Sequence, residues 1–499
     1  MQKLGALDAN FLYNESDLMP NHIASVQRLE LPEGVEPGQF IESLKDFLMA
    51  RRHLVPYMYR KLKFVPGNFD HPFWVYDDAF DMDNHVVEVP VPAPGDLAQL
   101  EQTIAGIHEI RMDRDKPLWN MYVLTGLEDG TVAYYSQVHH SAIDGMGGQA
   151  ATMLLMDETP DHPEIECPES FPPVRGDEMA EMARMTLENL LKFQIGNASR
   201  VLGSMESMRR MMQRAMDPSR HFGAFGQRAP ATRFNKSIGK SRSYAVGEFP
   251  LQDIRTMGRE FGCTVNDVFM AICAGGLRRY LERREELPAA GLIAGCPVSL
   301  RSARDRDMGN RITMMNVNLS TQVKDPKLRL LAISQSSQVA KEVTADLAHG
   351  YDPNVSLPGL PAMIAMSAAA AEGTRAADMM APPINLVISN VPGPRNTLYS
   401  NGARMLTHYP VSIPAHGVGL NITVQSYVGS LYFSITACAA ALPDAQRLRD
   451  DMLSAYLELR EALLPTNVST LRPQAPKSGV ENDAAAEETD RREPLTRVA

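Results

Sequence analysis

Thr131-Val132-Ala133-Tyr134-Tyr135-Ser136 is a run of β-formers that passes directly into Gln137-Val138-His139-His140-Ser141-Ala142-Ile143-Asp144-Gly145. Branched and aromatic side chains suit a pleated strand. From Met146 to Met156 small and apolar residues repeat at helical spacing, so a strand, a turn and a helix are predicted in succession. Successive strand residues face opposite sides. His139 and His140 therefore cannot both look into one cavity, and one of them has a structural task. A neutral imidazole, titrating near pH ~6.5, accepts a proton at physiological pH without special tuning. Asp144 follows beside Gly145, a residue type open to backbone conformations closed to others. Its carboxylate can hold the turn or fix a histidine ring. For an isolated His-x-x-x-Asp, packing or a chance metal pair is also an adequate account.

The cluster has company. Leu7-Asp8-Ala9 with Phe11-Leu12, Pro117-Leu118-Trp119, Asn266-Asp267-Val268 and Asn390-Val391-Pro392-Gly393-Pro394 accompany it along the chain. With His139 to Gly145, which reads HHxxxDG, they resemble the bacterial wax ester synthase/diacylglycerol acyltransferase family of the CoA-dependent acyltransferase superfamily. The resemblance spans about residues 4 to 465. HHxxxDG alone also fits peptide-synthetase condensation domains; five matches in order are far more specific. The resemblance implies a layered α/β (α+β) fold of two chloramphenicol-acetyltransferase-like domains, joined by a helical crossover, with an active-site tunnel at their interface. Ligand sites favour such interfaces. It also implies His140 as the general base, with His139, Asp144 and Gly145 in support.

Length and composition fit that scale. The 499 residues suffice for two or three domains. Hydrophobic residues make up 44% and charged residues 22%, as in ordinary globular chains. A net charge of -11 argues against a general nucleic-acid binder. The five cysteines, Cys167, Cys263, Cys273, Cys296 and Cys438, form no Cys-x-x-Cys pair, so neither a disulfide framework nor a zinc site is expected, and a reducing compartment fits. No signal peptide is expected, and no apolar run reaches the ~18 residues needed to cross a bilayer. The longest, Ala362 to Ala371, lies between Pro361 and Gly373. Membrane association would be peripheral.

Taken in order, residues 1–165 read as alternating strands and helices forming an N-terminal domain, with the hairpin of Met121 to Leu124 and Val132 to Tyr135 delivering the histidines. Trp119 is either a core aromatic or, by resemblance, a wall of the substrate channel, together with Pro117 and Leu118. Residues 166–240 form a crossover. Its helical stretch, Asp177 to Met216, carries Met179, Met182, Met185, Met205, Met208, Met211, Met212 and Met216 beside Arg200, Arg209, Arg210 and Arg214. Adaptable methionines and basic residues suit either a core-covering crossover or a lid or membrane contact. Gly239-Lys240-Ser241 lacks the upstream glycine of a P-loop, Phe234 standing in its place, so nucleotide hydrolysis is not expected. The basic residues around it, Arg228 to Arg242, are either solvated or placed to meet CoA phosphates.

A second α/β unit is expected over 241–466, followed by a polar tail, 467–499, without the apolar residues to fold. Thr264 or Asn266 is predicted to cap a helix from Val268 to Arg284. For Asn266 and Asp267, capping and the family's support of activity are both open. Ile384 to Ser389 is predicted as a strand entering the Asn390 to Pro394 loop, where Pro392 and Gly393 fix a rigid turn, and a hairpin is expected about Val428-Gly429. The superfamily's motif aspartate ion-pairs with an arginine; Arg301 is the candidate for Asp144, with Arg311 in reserve.

The chemistry expected is direct acyl transfer. There is no Gly-x-Ser-x-Gly elbow and no cysteine in the motif, so an acyl-enzyme is not suggested. No metal or redox cofactor is indicated, acyl-CoA being a substrate. The acceptor implied is diacylglycerol, giving triacylglycerol, or a long-chain alcohol, giving wax ester. Both reside at membranes, so the inner face of the cell membrane or a lipid inclusion is the expected place of action, in the cytoplasm. The alternatives are a condensation-type enzyme using carrier-bound acyl groups and a non-catalytic lipid-binding protein. Oligomeric state is not legible.

Overall fold

The hairpin that delivers the histidines sits in the middle of a six-stranded sheet, with Val123 opposite Tyr134 and Leu124 opposite Ala133. The structure is a computed structural model, and it describes residues 1–161, 163, 165–168, 171, 178–217, 219–299, 312–347 and 359–464. The expected tail lies outside the described residues, as do Arg301 and Arg311.

The chain opens with β1 (Gln2–Lys3), α1 (Ala6–Tyr13), β2 (His22–Glu30), α2 (Pro37–Arg51), β3 (Arg60–Lys63), β4 (Phe73–Tyr76) and β5 (Val86–Pro90). There follow α3 (Leu97–His108), β6 (Trp119–Thr125), β7 (Val132–His139), α4 (Gly145–Leu155) and the long α5 (Glu178–Met216). Next come β8 (Arg242–Pro250), α6 (Leu251–Phe261), α7 (Val265–Glu282), β9 (Ile293–Ser299), β10 (Ile312–Asn318), α8 (Pro326–Leu347) and α9 (Leu360–Gly373). The last elements are β11 (Leu386–Val391), β12 (Tyr399–Ser400), β13 (Ala403–Val411), β14 (Leu420–Tyr427), β15 (Ser430–Cys438) and α10 (Ala445–Leu463).

Two six-stranded mixed sheets organise these elements, in the orders β12-β13-β2-β7-β6-β5 and β10-β9-β11-β14-β15-β8, beside a small sheet β1-β4-β3. The second sheet is built from the latter half of the chain. The first borrows β12 and β13 from that half, β13 pairing antiparallel with β2, so residues beyond 241 contribute to both sheets. In the second sheet β14 and β15 are buried along nearly their whole length. Strands covered on both faces read as continuous apolar runs. Helix α7 is buried from Asp267 to Leu281 with few breaks and packs between α10 and α8. In β8, a Cβ on Gly247 would lie 2.5 Å from Phe433, so the ring occupies the space a side chain would need. Helix α3 ties the halves together: Glu101 accepts hydrogen bonds from the Val246 N–H (2.9 Å) and from Arg449 of α10 (3.0 Å).

Local expectations are met where local chemistry decides. The β14–β15 hairpin turns at Val428 (φ 40°) and Gly429 (φ 85°), the two positive angles of a type I′ turn. A branched residue is strained in that region, at a cost of about 1–3 kcal/mol. Val428→Asn is therefore expected to stabilise the protein by about 1 kcal/mol, read as a higher urea midpoint; an unchanged or lowered midpoint contradicts the turn assignment. Thr264 caps α7, which begins three residues before the predicted Val268. Its hydroxyl accepts from the Asp267 N–H (3.1 Å) and the Asp267 carboxylate accepts from the Thr264 N–H (2.9 Å), a reciprocal capping box.

The crossover helix differs from a core-covering one. Met182 is buried, but Met179, Met205, Met208, Met212 and Met216 are exposed. The side chain of Arg200 lies outside the described residues, and the described arginines do not offer a basic face. Arg209 and Arg210 both pair with Glu206, and Arg214 is fully buried against Asp346 and Glu342 of α8. No helix among the described residues is long and apolar enough to cross a membrane.

Candidate active site

The two histidines have different surroundings, β7 ending at His139 and His140 beginning the turn that follows. The His139 ring is wholly buried. Its Nδ1 accepts the Ser141 backbone N–H at 3.1 Å and lies 2.7 Å from the Ser141 hydroxyl. The ring proton therefore sits on Nε2, which faces Glu15 Oε1 at 3.2 Å, an electrostatic contact more bent than a straight hydrogen bond. Glu15 also pairs with Arg114 at 2.5 Å. Burial raises the Glu15 carboxyl pKa, but His139 and Arg114 together outweigh it and hold the group below its usual range. Both His139 nitrogens are thus engaged, and so is the Ser141 hydroxyl, leaving neither group poised for chemistry.

His140 is placed differently. Its ring stacks on Phe11 of α1 at 4.0 Å with a 5° interplanar angle. Its backbone N–H donates to the Asn21 carbonyl at 2.8 Å, while the Asn21 amide donates to the Phe11 carbonyl at 2.7 Å. Asn21 therefore fixes both halves of the stack. The ring borders two cavities. The larger, about 1010 Å³, runs past α1 and α9. The smaller, about 180 Å³, lies inward between the two sheets. His140, Gly145, Ser389 and Ser412 line both. His140 is therefore shared by the two cavities rather than confined to one of them.

Asp144 holds the turn. It caps α4, its Oδ1 accepting from the Gly147 N–H at 2.8 Å, and it borders the larger cavity. Gly145 departs from expectation, because its φ is not in the left-handed region. The constraint is space: a Cβ there would meet Val391 Cγ2 at 3.1 Å. Glycine thus lets the start of α4 approach β11 of the other sheet.

Other expected residues divide. Trp119 lines the smaller cavity and also serves the fold, its indole N–H donating to the Met58 carbonyl at 3.2 Å and its ring stacking on His85 at 4.5 Å. Pro117 and Leu118 are buried beside it and line neither cavity. Asn390 and Pro392 are exposed and, with Gly393, also line neither. Alternation along β11 accounts for this: Ser389 faces the cavities and Asn390 the opposite side of the strand. Gly393 instead allows a close approach, its N–H donating to the Ser426 hydroxyl at 2.9 Å, where a Cβ would stand 1.9 Å from the Ser426 carbonyl oxygen. Asn266 and Asp267 stand at the start of α7, with Asp267 in the capping box and also accepting from the Ser334 hydroxyl at 3.2 Å; neither borders either of these two cavities. Arg233 and Arg242 are drawn to backbone carbonyls, of Ala441 and of Gly239 and Leu18 respectively, rather than presented to a phosphate.

The sequence reading missed Glu15, Asn21, Ser389 and Ser412. Ser389 could have been found by counting one step back along the strand from Asn390. Phe11 stood in a quoted match without a role. Among the described residues, no cluster of His, Cys, Asp or Glu could hold a metal ion.

The wax ester synthase/diacylglycerol acyltransferase catalytic-domain model matches residues 4–269, and the C-terminal-domain model of the same group matches 308–460. O-acyltransferase WSD of Acinetobacter baylyi is 33% identical over 462 residues, covering 90% of this chain and 94% of that protein. A Mycobacterium tuberculosis protein named probable diacylglycerol O-acyltransferase tgs2 is 33% identical over 459 residues, covering 91% and 98%. The solved wax ester synthase/diacylglycerol acyltransferase from Marinobacter aquaeolei VT8 has a TM-score of 0.65 at 27% identity, covering 92% of this chain and 98% of that one. A starter condensation domain of rhizomide synthetase, with a TM-score of 0.55 at 15% identity, shares the fold. With both family models matched along the chain, and with HHxxxDG set between two cavities, the chain belongs to the wax ester synthase/diacylglycerol acyltransferase family and is an acyltransferase.

Proposed function

We propose that the chain moves a long-chain acyl group from acyl-CoA to a hydroxyl of diacylglycerol, giving triacylglycerol, or of a long-chain alcohol, giving wax ester. The observation that carries this reading is the position of the His140 ring, bordering both a large and a small cavity. Donor and acceptor can then reach one base from opposite sides. His140 removes the proton from the acceptor hydroxyl as its oxygen attacks the thioester carbonyl. The tetrahedral intermediate collapses to the ester, and the departing CoA thiolate takes the proton from the imidazolium. General base catalysis of this kind is worth about 10²–10⁴ in rate. Ser389, on the wall of both cavities, is the hydroxyl we assign to the oxyanion, whose stabilisation needs a fixed donor. His139, Asp144 and Asn21 act as positioning residues.

The lipid substrates suit action at a membrane or lipid-inclusion surface. Large apolar side chains stand exposed near the larger cavity, with Met380 and Phe64 on its wall and Met363 and Met366 on α9 beside it. Exposed apolar groups rimming a lipid-sized cavity suit a peripheral contact. The testing experiment supplies radiolabelled palmitoyl-CoA with hexadecanol, with dioleoylglycerol or without acceptor, and separates the lipids. Labelled wax ester or triacylglycerol, formed only when acceptor is present, is the expected result. Label in neither product overturns the reading.

A further inference from the structure

The smaller cavity is lined mainly by apolar side chains but carries a band of polar ones that a purely alkyl chain would leave unpaired. On the first sheet, Ser25 and Ser136 stand opposite each other across β2 and β7, and Gln27 stands opposite His408 across β2 and β13. From the second sheet come Ser389 of β11 and Thr423 and Gln425 of β14. All seven line the chamber. Inward-facing positions of central strands are ordinarily apolar, because a buried polar group without a partner is costly.

Part of this set is tied together. The Gln425 amide donates to Gln149 Oε1 at 2.7 Å and lies 2.9 Å from His408 Nδ1, and His408 Nε2 lies 3.3 Å from the Gln27 amide. Thr423 donates to Asn421 Oδ1 at 2.8 Å, whereas among the described residues the hydroxyls of Ser25, Ser136 and Ser389 have no protein partner. Among the described residues no Asp, Glu, Lys or Arg lines the chamber, and burial keeps His408 neutral near pH 7, its pKa pushed down to about 4. Such a lining offers uncharged donors and acceptors and nothing to balance a phosphate or a carboxylate. On the β6 side the wall turns apolar, with Trp119, Met121 and Met58.

Resting on the acyl-transfer reading above, we infer that this chamber is a subsite for a neutral, oxygen-bearing acceptor: the ester-carrying glycerol backbone of a glyceride, with an alkyl segment along the Trp119 side. In diacylglycerol the ester oxygens lie only a few bonds from the reacting hydroxyl, so they enter the chamber when that hydroxyl meets His140. A simple alkanol would set methylene groups against Ser25 and Ser136 and leave them unpaired. Sites built to hydrogen-bond a substrate discriminate against analogues lacking that group.

The test is the double variant Ser25→Ala with Ser136→Ala, assayed with palmitoyl-CoA and either dioleoylglycerol or hexadecanol. Two lost hydrogen bonds should lower the diacylglycerol-to-hexadecanol ratio of kcat/KM about tenfold. Because both acceptors are measured on one preparation, loss of folded protein cancels in the ratio. Ser136→Val, which adds apolar surface, should move the ratio the same way. A ratio unchanged in both variants overturns the subsite while leaving acyl transfer intact. Wild-type protein that acylates neither acceptor overturns both.

Discussion

In the His140→Ala variant, acyl transfer is expected to fall by about 10²–10⁴ in kcat, the range associated with a positioned general base, with the fold retained. The ring lies on a cavity wall, and its removal forfeits the stack on Phe11, worth about 0.5–1.5 kcal/mol. His139→Ala should behave in the opposite sense. That ring is buried and its Nε2–H faces the Glu15 carboxylate, so its loss removes a donor from a buried carboxylate and leaves Arg114 as its partner. Leaving a buried group short of a hydrogen-bond partner costs about 1–3 kcal/mol, and more when the group is charged. Thiol release assayed beside urea denaturation separates the two variants. Greater catalytic loss per folded molecule at His139 than at His140 would reverse the assignment.

Acid is expected to unfold the protein well above the carboxylate range. Burial, as the largest cause in each case, pushes His71 down to about 4, His108 to about 3 and His408 to about 4, and His22 well below its ordinary value. Each folded-state pKa lies below the unfolded value near ~6.5. The stability these groups contribute is therefore present in full above pH ~6.5 and is lost as pH falls through the interval down to the folded values. By linkage, His71, His108 and His408 forfeit about 2 kcal/mol each at pH 5, and His22 acts in the same direction. Domains of ordinary stability hold only about 5–15 kcal/mol. Glu15 extends the trend, since its lowered pKa contributes stability that is present above its usual value and lost below. Urea midpoints at pH 7, 6 and 5 should fall steadily. A flat profile over that interval would contradict the buried, neutral state of these rings.

What the sequence made legible was local. The hairpin into His139 and His140, the Asp144 turn, the Thr264 cap and the Val428-Gly429 turn follow from a few adjacent residues and their preferred dihedral angles. The remainder depends on distant partners. Glu15 meets a ring 124 positions away, and Asn21 carries both Phe11 and His140 through a carbonyl and an amide that no pattern reveals. Helix α1 carries almost no amphipathic signal, its apolar residues being spread around the axis, so it was not foreseen. Strand β13 reads like its neighbours in sequence but pairs with β2 across the molecule. Gly145 was expected for its dihedral freedom and proved necessary for its size, because what crowds it, Val391, belongs to the other sheet.

One-step transfer at His140 is tested most directly by rapid mixing of the protein with radiolabelled palmitoyl-CoA, with and without dioleoylglycerol, and counting label on protein and on lipid. The expected result is no label on protein at any time, and one CoA thiol released for each ester formed once acceptor is added. A burst of thiol without acceptor, with stoichiometric label on the protein, would show a covalent acyl intermediate and contradict it.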